Sequence, residues 1–440
     1  MADIVTSRIF TDGEKGITAA KLNDIIASSV IQPAFVSAKP PTSTVGATDQ
    51  LLVLKSTGSY AQAPFQTVID SVAAGLPSGD SEIWLVRQRS FNALGNPTFE
   101  VNQPSPGVTV TAPASGIARY MDRWVYHAPA APASLSLAQG SVNVAIPGSN
   151  FLISQNTLKV TLLATKASLA ATDYLSIYQT VEGPCLRELL NDVHSISLVV
   201  RSSVANLLFG VAISDPTGTR SLTKLCTIPA SNTWTSITLP NIPIWPAAGA
   251  FGLAPGSSGY ILNITLAAGT TFTANANDTW QNGNFVGANG QGNFCGQAVN
   301  ATFEIGFIQH EPGAVCSTPM DKPFGQNYDE CLRYFQKTYN YETAIAAATA
   351  IGVRGFVTLG ATGTAFGTNP FHKPMVKTPA IAFYNYATGA ISSVRDSAGA
   401  DHGGAAVNQP GSSGFSGLSF SPATSGALGV FAHYIADTSL

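Results

Sequence analysis

Residues 259–268, GYILNITLAA, carry the pattern that decides the fold class. Leu262, Ile264 and Leu266 fall on one face of an extended chain, whereas the polar Asn263 falls on the other. Successive side chains of a β-strand point to opposite faces of its sheet. The alternation therefore predicts a strand that turns one face toward a core.

Similar segments recur between about residues 81 and 322. The hexapeptide TFEIGF at 302–307 alternates in the same way, and turn-forming residues separate one segment from the next. Further strand candidates are 158–164, 173–180, 196–202, 207–213 and 235–240. Many short alternating strands joined by turns predict antiparallel sheets packed face to face as a sandwich. The predicted fold class is accordingly mainly β, with 81–322 as the central domain.

A smaller region, residues 1–80, precedes the predicted sandwich. It combines a strand at 51–54 with two short amphipathic helices near 22–30 and 65–72, and Pro64 stands at a favourable first helical position. Such small elements bury little surface by themselves, so they need a partner chain or a docking site. We therefore predict a small α+β element that anchors or oligomerises the chain.

The third region, residues 323–440, is predicted to be a β-rich terminal domain with one short helix. Apolar residues at i, i+3, i+4 and i+7 indicate that helix: Tyr328, Cys331, Leu332 and Phe335. Strand-like segments follow at 352–359, 379–385 and 427–436. Between them, 395–417 is rich in Gly and Ser and contains Asp396, Asp401 and His402. That composition predicts a long, exposed and mobile loop.

Composition narrows the possible functions. Only 11% of the residues are charged, and Gly and Pro supply 41 and 27 of the 440 positions. The average soluble protein is about 25% charged, and low charge is typical of chains that bury much surface in an oligomer. The net charge of −3, without a basic run, argues against nucleic acid as a partner. No apolar stretch approaches the ~18 residues of a membrane span, and the first residues lack the apolar core of a secretory signal.

Motifs for catalysis, metals and cofactors are missing. The sequence has no G-x-S-x-G, no H-E-x-x-H and no phosphate-binding G-x-x-x-x-G-K motif. Its five cysteines form no C-x-x-C pair, which disfavours disulfides and zinc. We therefore expect no enzyme activity, no metal and no cofactor. One enzymatic alternative stays open, because two carboxylates about 5–10 Å apart on a sandwich could cleave a polysaccharide.

Aromatic rings beside amide side chains indicate sugar binding, because rings stack on the C–H faces of sugars and amides reach the hydroxyls. Two groups of residues combine these features: Trp280, Gln281, Asn282 and Asn284 in one predicted loop, and Tyr174 and Tyr178 on one strand face with Ser176. The alternatives are that Trp280 belongs to the core and that the two tyrosines pack against a neighbouring domain or subunit.

Several segments, in the same order, resemble bacteriophage tail-fibre-type virion proteins that carry a jelly-roll, carbohydrate-binding-like domain. They are ITAAKLNDIIASSVIQPAF, DQLLVLKSTGSYAQ, SFNALGNPTFEVNQ, TWQNGNF, GQGNF, FEIGFIQHEPG, KPFGQNYDECLRYFQKTY and FAHYIAD. The resemblance implies a structural subunit of the virion, assembled in the bacterial host cytoplasm, that is usually a homotrimer and attaches to a glycan of the host surface.

On this resemblance, residues 1–80 would join other tail or portal-proximal virion proteins, and residues 323–440 would form the tip. The loop 395–417 then becomes a candidate determinant of host specificity, with a spacer or a filler between subunits as the alternative. A head fibre or capsid decoration protein, and a polysaccharide depolymerase, are the competing functions. The sequence hardly separates tail from head, because anchoring and display domains look alike at both locations.

Overall fold

The computed structural model describes residues 50–54, 60–64, 91–112, 116–129, 133–149, 151–190, 193–319, 321–358, 363–421 and 429–438. The chain divides into two units, Met1–Leu85 and Val86–Leu440. In the first unit, β1 (Gln50–Leu54) and β2 (Tyr60–Pro64) form an antiparallel hairpin. The strand predicted at 51–54 is confirmed, and Pro64 ends β2 instead of beginning a helix. The helices predicted near 22–30 and 65–72 lie outside the described residues.

The second unit begins with a sandwich of two antiparallel sheets. Its strands are β3 (Val110–Thr111), β4 (Gly116–Met121), β5 (Trp124–Ala128), β6 (Ser134–Ala145), β7 (Leu152–Ala164), β8 (Tyr174–Glu182), β9 (His194–Ser202), β10 (Leu207–Ser214), β11 (Arg220–Ile228), β12 (Thr235–Ile242), β13 (Ser258–Ala268), β14 (Trp280–Asn282) and β15 (Thr302–Pro312). A short helix α1 (Gly183–Arg187) follows β8, and a 3-10 turn spans Phe294–Gly296.

The strand order shows that consecutive strands often change sheet. One sheet has seven strands in the order β14-β11-β10-β13-β8-β5-β4, and the other has six in the order β12-β9-β15-β7-β6-β3. Thus β8 and β9, or β12 and β13, neighbour each other in sequence but lie in opposite sheets. This exchange is the arrangement of a jelly-roll sandwich. The predicted mainly β fold with a central jelly roll is confirmed.

Apolar side chains from both sheets fill the space between them. In β13, Leu262, Ile264 and Leu266 are completely buried, as their alternation predicts. Phe303 of β15 meets Phe209 of β10 across the core, with ring centroids 5.2 Å apart. Burying such side chains stabilises the fold by about 1.5–3 kcal/mol each. Strands predicted from alternation thus form the core of the sandwich.

The rest of the second unit is a smaller β structure. Helix α2 (Phe324–Cys331) leads into β16 (Phe335–Lys337), β17 (Arg354–Thr358), β18 (Thr364–Pro370), β19 (Ala380–Tyr384), β20 (Ser393–Asp396), β21 (Asp401–Gly403), β22 (Ala406–Asn408), β23 (Gly414–Ser419) and β24 (Gly429–Asp437). Strand β24 lies at its centre. The first half of β24 pairs with β17 and β20, and its second half pairs with β16 and β19.

Two predictions for this part of the chain need correction. The helix predicted to include Phe335 ends at Cys331, because Phe335 instead pairs with Asp437 as the first residue of β16. The single loop predicted at 395–417 is wrong, because the segment contains the end of β20, all of β21 and β22, and most of β23. Ala405 and Phe415 supply this segment with buried apolar side chains.

Two of the three candidate residues in that segment are buried. Asp396 and His402 are both buried, and His402 Nε2 lies 2.9 Å from Asp396 Oδ2. Asp401, on the opposite face of β21, is exposed and pairs with Arg395 at 3.2 Å. The buried pair holds two strands together, so Asp396 and His402 are structural.

Direct polar contacts join the sandwich to the smaller β structure. Arg119 of β4 donates two hydrogen bonds of 2.8 Å to the Asp437 carboxylate. The Tyr334 hydroxyl donates to Glu182 at 2.7 Å. Lys337 Nζ is buried there and donates to the Gln103 carbonyl at 2.8 Å. These contacts make the two parts of residues 86–440 one compact unit.

None of the helices in the described residues is long and apolar enough to cross a membrane.

Candidate functional site

A cavity of about 260 Å³ opens on the outer face of the seven-stranded sheet. Strands β4, β5, β8, β10 and β13 supply its base, while the turn after β10 and the loop after β14 supply its rim. Outward-facing residues of a sandwich are normally exposed, but here loops cover part of the sheet. The covering loops turn a flat surface into a concave site.

Three aromatic rings form one wall. Tyr174 and Tyr178 project from the same face of β8, as predicted, and His127 lies next to them on β5. The His127 ring centroid is 5.1 Å from that of Tyr174 and 6.0 Å from that of Tyr178. The Tyr174 hydroxyl lies 2.9 Å from His127 Nδ1. Tyr174 is nearly buried and fixes His127, whereas Tyr178 is only half-buried.

These rings are uncharged at neutral pH. Burial lowers the pKa of His127 below its ordinary 6.5, so its imidazole is neutral. Burial raises the pKa of Tyr174 to about 12 and raises that of Tyr178 as well, so both phenols keep their protons. Rings of this kind offer apolar faces and neutral hydrogen-bonding groups.

The base of the cavity contains a buried amide with an unused donor. Asn263 of β13 stands opposite Tyr178 in the sheet and is only 4% exposed. Its Oδ1 accepts a hydrogen bond from the Ser176 hydroxyl at 3.2 Å. Among the described residues, Asn263 Nδ2 has no hydrogen-bond partner. A buried donor without an acceptor costs about 1–3 kcal/mol, so its position in a cavity points to an acceptor on a ligand.

The rim turn is built around Asp215. The buried Asp215 carboxylate accepts hydrogen bonds from the hydroxyls of Thr217 and Thr219 and from the backbone N–H groups of Thr219, Arg220 and Ala250. Burial alone would raise the pKa of Asp215, but these hydrogen bonds outweigh it and bring the pKa to about 2. The carboxylate therefore holds the turn together through its hydrogen bonds, and it stays ionised at neutral pH.

Asn284 stands across the rim from this turn. A Cβ atom at Gly218 would lie 2.9 Å from Asn284 Cγ, and Gly218 has a φ of +68°. Only glycine combines that backbone conformation with room for the amide. The Asn284 side chain is exposed and forms no hydrogen bond with a described residue. The Asn284 amide is therefore available to a ligand.

The structure separates the other predicted sugar contacts from the cavity. The Trp280 indole N–H donates to the Ile244 carbonyl at 3.1 Å, and its ring packs on Trp245 with centroids 5.4 Å apart. Trp280 thus belongs to the edge of the core, which was the alternative interpretation. The amide of Gln281 is bound to backbone groups of Asn275 and Ala276.

Asn282 is also engaged elsewhere, since its side-chain oxygen accepts a hydrogen bond from Arg220. Of the six predicted sugar contacts, Tyr174, Tyr178 and Asn284 line the cavity, and the remaining ones do not. Sequence reasoning missed His127, Asn263 and the turn from Asp215 to Gly218.

No group of three or more potential metal ligands occurs in the part of the chain that the structure describes.

Comparisons with known proteins give only distant structural likenesses. No protein-family model matches the chain, and no curated protein matches it in sequence. The carbohydrate-binding module TmCBM61, solved with β-1,4-galactotriose, aligns with a TM-score of 0.26 and 12% identity over 51% of this chain and 99% of its own.

A putative sugar-binding protein from Bacteroides thetaiotaomicron aligns with a TM-score of 0.27 and 10% identity over 50% of this chain and 100% of its own. A family 30 carbohydrate-binding module from a Clostridium thermocellum cellulase gives a TM-score of 0.22 and 10% identity over 49% of this chain and 96% of its own. Likenesses this weak say nothing about what this chain binds. That question rests on the cavity itself.

Proposed function

We propose that this protein is a non-enzymatic binding protein whose jelly-roll domain holds a sugar residue of a glycan in the cavity of its seven-stranded sheet. The observation that carries the proposal is the unpaired Asn263 Nδ2 beside an aromatic wall. A sugar ring matches both features, because its hydroxyl oxygens accept hydrogen bonds and its C–H groups pack on aromatic rings.

The free polar groups of the cavity are spaced around its wall, base and rim. The Tyr178 hydroxyl and the Asn284 amide form no hydrogen bond with a described residue, and Asn263 supplies the buried donor. A few convergent polar groups within an otherwise apolar wall are typical of small-ligand sites. Ile117 extends this wall beside His127, its neighbour in β5. The arrangement favours a polyhydroxylated ligand over a purely apolar one.

The acids at the cavity support binding without cleavage. Glycoside cleavage commonly uses two carboxylates about 5–10 Å apart, one acting as acid and the other as base or nucleophile. Asp215 is the only acidic residue that lines the cavity, and five hydrogen bonds already occupy its carboxylate. A depolymerase centre would need a second acid within reach, which the cavity lining does not provide.

Tyr178→Ala is expected to weaken glycan binding at least tenfold, because it removes both a stacking face and a free hydroxyl. We expect a wild-type single-site affinity near the millimolar level, roughly −4 kcal/mol, so binding is first found on a glycan array with a multivalent display and then measured by NMR titration. Asn282→Ala is the matched control, because Asn282 is exposed but lies outside the cavity lining. Binding that survives Tyr178→Ala, or a complete absence of glycan binding, would contradict the proposal.

We further propose that the glycan belongs to a host surface and that the chain is a trimeric fibre subunit of a phage virion, anchored through residues 1–80. The support is the ordered resemblance of its segments, the low charge of 11% and the gain from multivalency. Three linked weak sites raise avidity by about 10²–10⁴ when they can bind together.

Electron microscopy of intact particles with a labelled subunit is expected to place the label on the tail, and light scattering of the purified chain is expected to give a trimer. A label on the head would favour the decoration protein instead. A monomer at micromolar concentration, together with unlabelled particles, would refute the virion proposal while leaving the sugar site intact.

A further inference from the structure

We infer that the cavity selects the uncharged terminal residue of a glycan, and that it excludes acidic sugars and the interior of a glycan chain. This inference rests on the proposed sugar-binding function and specifies its ligand. Three properties of the cavity carry it: its charge, its small volume and its buried donor.

The cavity offers no cation to an acidic sugar. No lysine or arginine is among its lining residues, and burial keeps the His127 imidazole neutral. The charge of Arg119 acts on Tyr178, but Arg119 does not line the cavity, and its Nε and Nη2 donate to Asp437, which leaves only its buried Nη1 without a partner among the described residues. Proteins that recognise carboxylates or sulfates normally supply a charged partner, because an anion without one is costly to bury.

The cavity instead places a fixed negative charge at its rim. The Asp215 carboxylate is ionised down to a pKa of about 2, and all its hydrogen bonds come from its own turn and Ala250. A sugar carboxylate beside it would be repelled, and the neutral donors of the cavity would not offset that repulsion as a cation would. A neutral hydroxyl meets no such repulsion, so the electrostatics favour an uncharged ring.

The turn after β10 and the loop that follows β14 bound one side of the cavity. Asn284 meets the turn at Gly218, and the same loop adds Val286 to the lining. A glycan bound through one of its internal sugars needs two openings in the cavity, one for the sugars on each side. The volume of about 260 Å³ is also smaller than that of most drug-sized sites, which span about 300–1,000 Å³. The cavity therefore suits one ring at the end of a chain.

The buried donor specifies what that ring must provide. Asn263 Nδ2 lies at the base, so its acceptor must be a group that reaches the base. A free hydroxyl oxygen of the bound ring can do so, whereas a glycosidic oxygen, which carries a further sugar, cannot approach as closely. The Ser176 hydroxyl donates to Asn263 Oδ1, so Nδ2 is the group of this amide that has no partner among the described residues.

The test begins with a glycan array probed by the full chain, followed by titrations with methyl glycosides. We expect the bound glycans to share one neutral terminal sugar, and its methyl glycoside to bind within about threefold of the affinity of the parent glycan. Capping that sugar with sialic acid, or extending it by one neutral residue, should weaken binding more than about tenfold.

Two aspartate variants provide a matched pair. Asn263→Asp keeps the shape but replaces the buried donor with an acceptor, and it should weaken binding more than about tenfold. Asn282→Asp introduces the same charge outside the cavity lining and should leave binding unchanged. Circular dichroism and thermal unfolding verify that both variants fold, and the wild-type array profile tests the inference independently of either one.

The outcomes separate this inference from the proposed function. If no glycan binds, the proposed function fails and the inference fails with it. If glycans bind but the preferred ones are acidic, or are held equally well after extension, the inference alone is overturned. Loss of binding in both aspartate variants would equally count against the assigned role of Asn263.

Discussion

Replacing Lys337 with methionine is expected to lower the free energy of unfolding of the second unit by about 3–5 kcal/mol. Lys337 Nζ donates to the carbonyls of Gln103, Tyr341 and Thr343 at 2.7–2.8 Å, and the residue is only 6% exposed. Burial lowers the pKa of Lys337 to about 8, so the ammonium is still largely protonated at pH 7. Methionine has a similar length but cannot donate, so it leaves three acceptors without this partner.

The measurement is denaturant unfolding at pH 7, and Lys373→Met is the matched control. Lys373 pairs with Asp329 at 2.7 Å, but its side chain is 44% exposed. Exposed ion pairs contribute at most about 1 kcal/mol, so this variant should differ little from the wild type. Equal losses in the two variants would show that the buried ammonium does not stabilise the junction.

Between pH 6.5 and 4.5 two buried histidines are expected to contribute a loss of about 2–4 kcal/mol to the free energy of unfolding, seen as the difference between the wild type and a variant without them. His194 Nδ1 lies 2.7 Å from His310 Nε2, and His310 Nδ1 lies 2.6 Å from the Tyr260 hydroxyl. Burial lowers the pKa of His194 to about 3 and lowers that of His310 well below 6.5. Both imidazoles are therefore neutral in the folded chain.

The direction of the pH effect follows from these pKa values. In the unfolded chain each histidine binds a proton near pH 6.5, whereas the folded chain resists protonation until much lower pH. The stabilisation is complete above pH 6.5 and is lost as the pH falls toward about 3, the pKa of folded His194.

Denaturant unfolding at several pH values checks this expectation in the double variant His194→Gln/His310→Gln. The variant should lose the destabilisation on acidification that the pair contributes. His127 and His433, whose pKa values burial lowers, still act in the same direction, whereas Glu100 and Asp122, whose pKa values burial raises to about 7 and about 6, act in the opposite one. His372→Gln is the control, since His372 is exposed. A wild-type slope that persists in the double variant would contradict the assignment.

The sequence pattern predicted the sandwich because its core strands alternate apolar side chains, which point inward, with other side chains, which point outward. Alternation at 302–307 identified the start of β15, where Phe303 and Ile305 point inward. It did not show that β15 continues to Pro312, because His310 and Glu311 are polar yet fully buried. Hydrogen bonds from Tyr260 and Ser317 satisfy these two residues. Those partners come from other segments and leave no signal in the local pattern.

The smaller β structure shows where local pattern fails. A helix including Phe335 was reasonable from spacing, but pairing with a segment about 100 residues later prevails. The strands within 395–417 are hard to predict because they are only three to six residues long and are separated by turns rich in glycine and serine. Their order comes from neighbouring strands and from the buried Asp396–His402 pair, neither of which composition reveals.

Only the part of the candidate site that lies on a single strand was predicted from the sequence. Tyr174 and Tyr178 share a face because they are four residues apart on one strand, which the sequence shows directly. Asn263 and His127 join them only through strand register, which places Asn263 opposite Tyr178 and His127 opposite Ser176. Register between strands 50 to 90 residues apart depends on the whole sheet. A single sequence without its pairing therefore cannot identify these neighbours.

The central position of β24 determines the order in which the two parts of the second unit can fold while the chain is being synthesised. Strands β16, β17, β19 and β20 all pair with residues 429–437, and the Asp437 carboxylate reaches back 318 positions to Arg119 at the edge of the sandwich. A ribosome releases these strands long before their common partner, and contacts this distant in sequence form slowly. The sandwich can close while translation continues, but this terminal region has unpaired strand edges until Asp437 emerges.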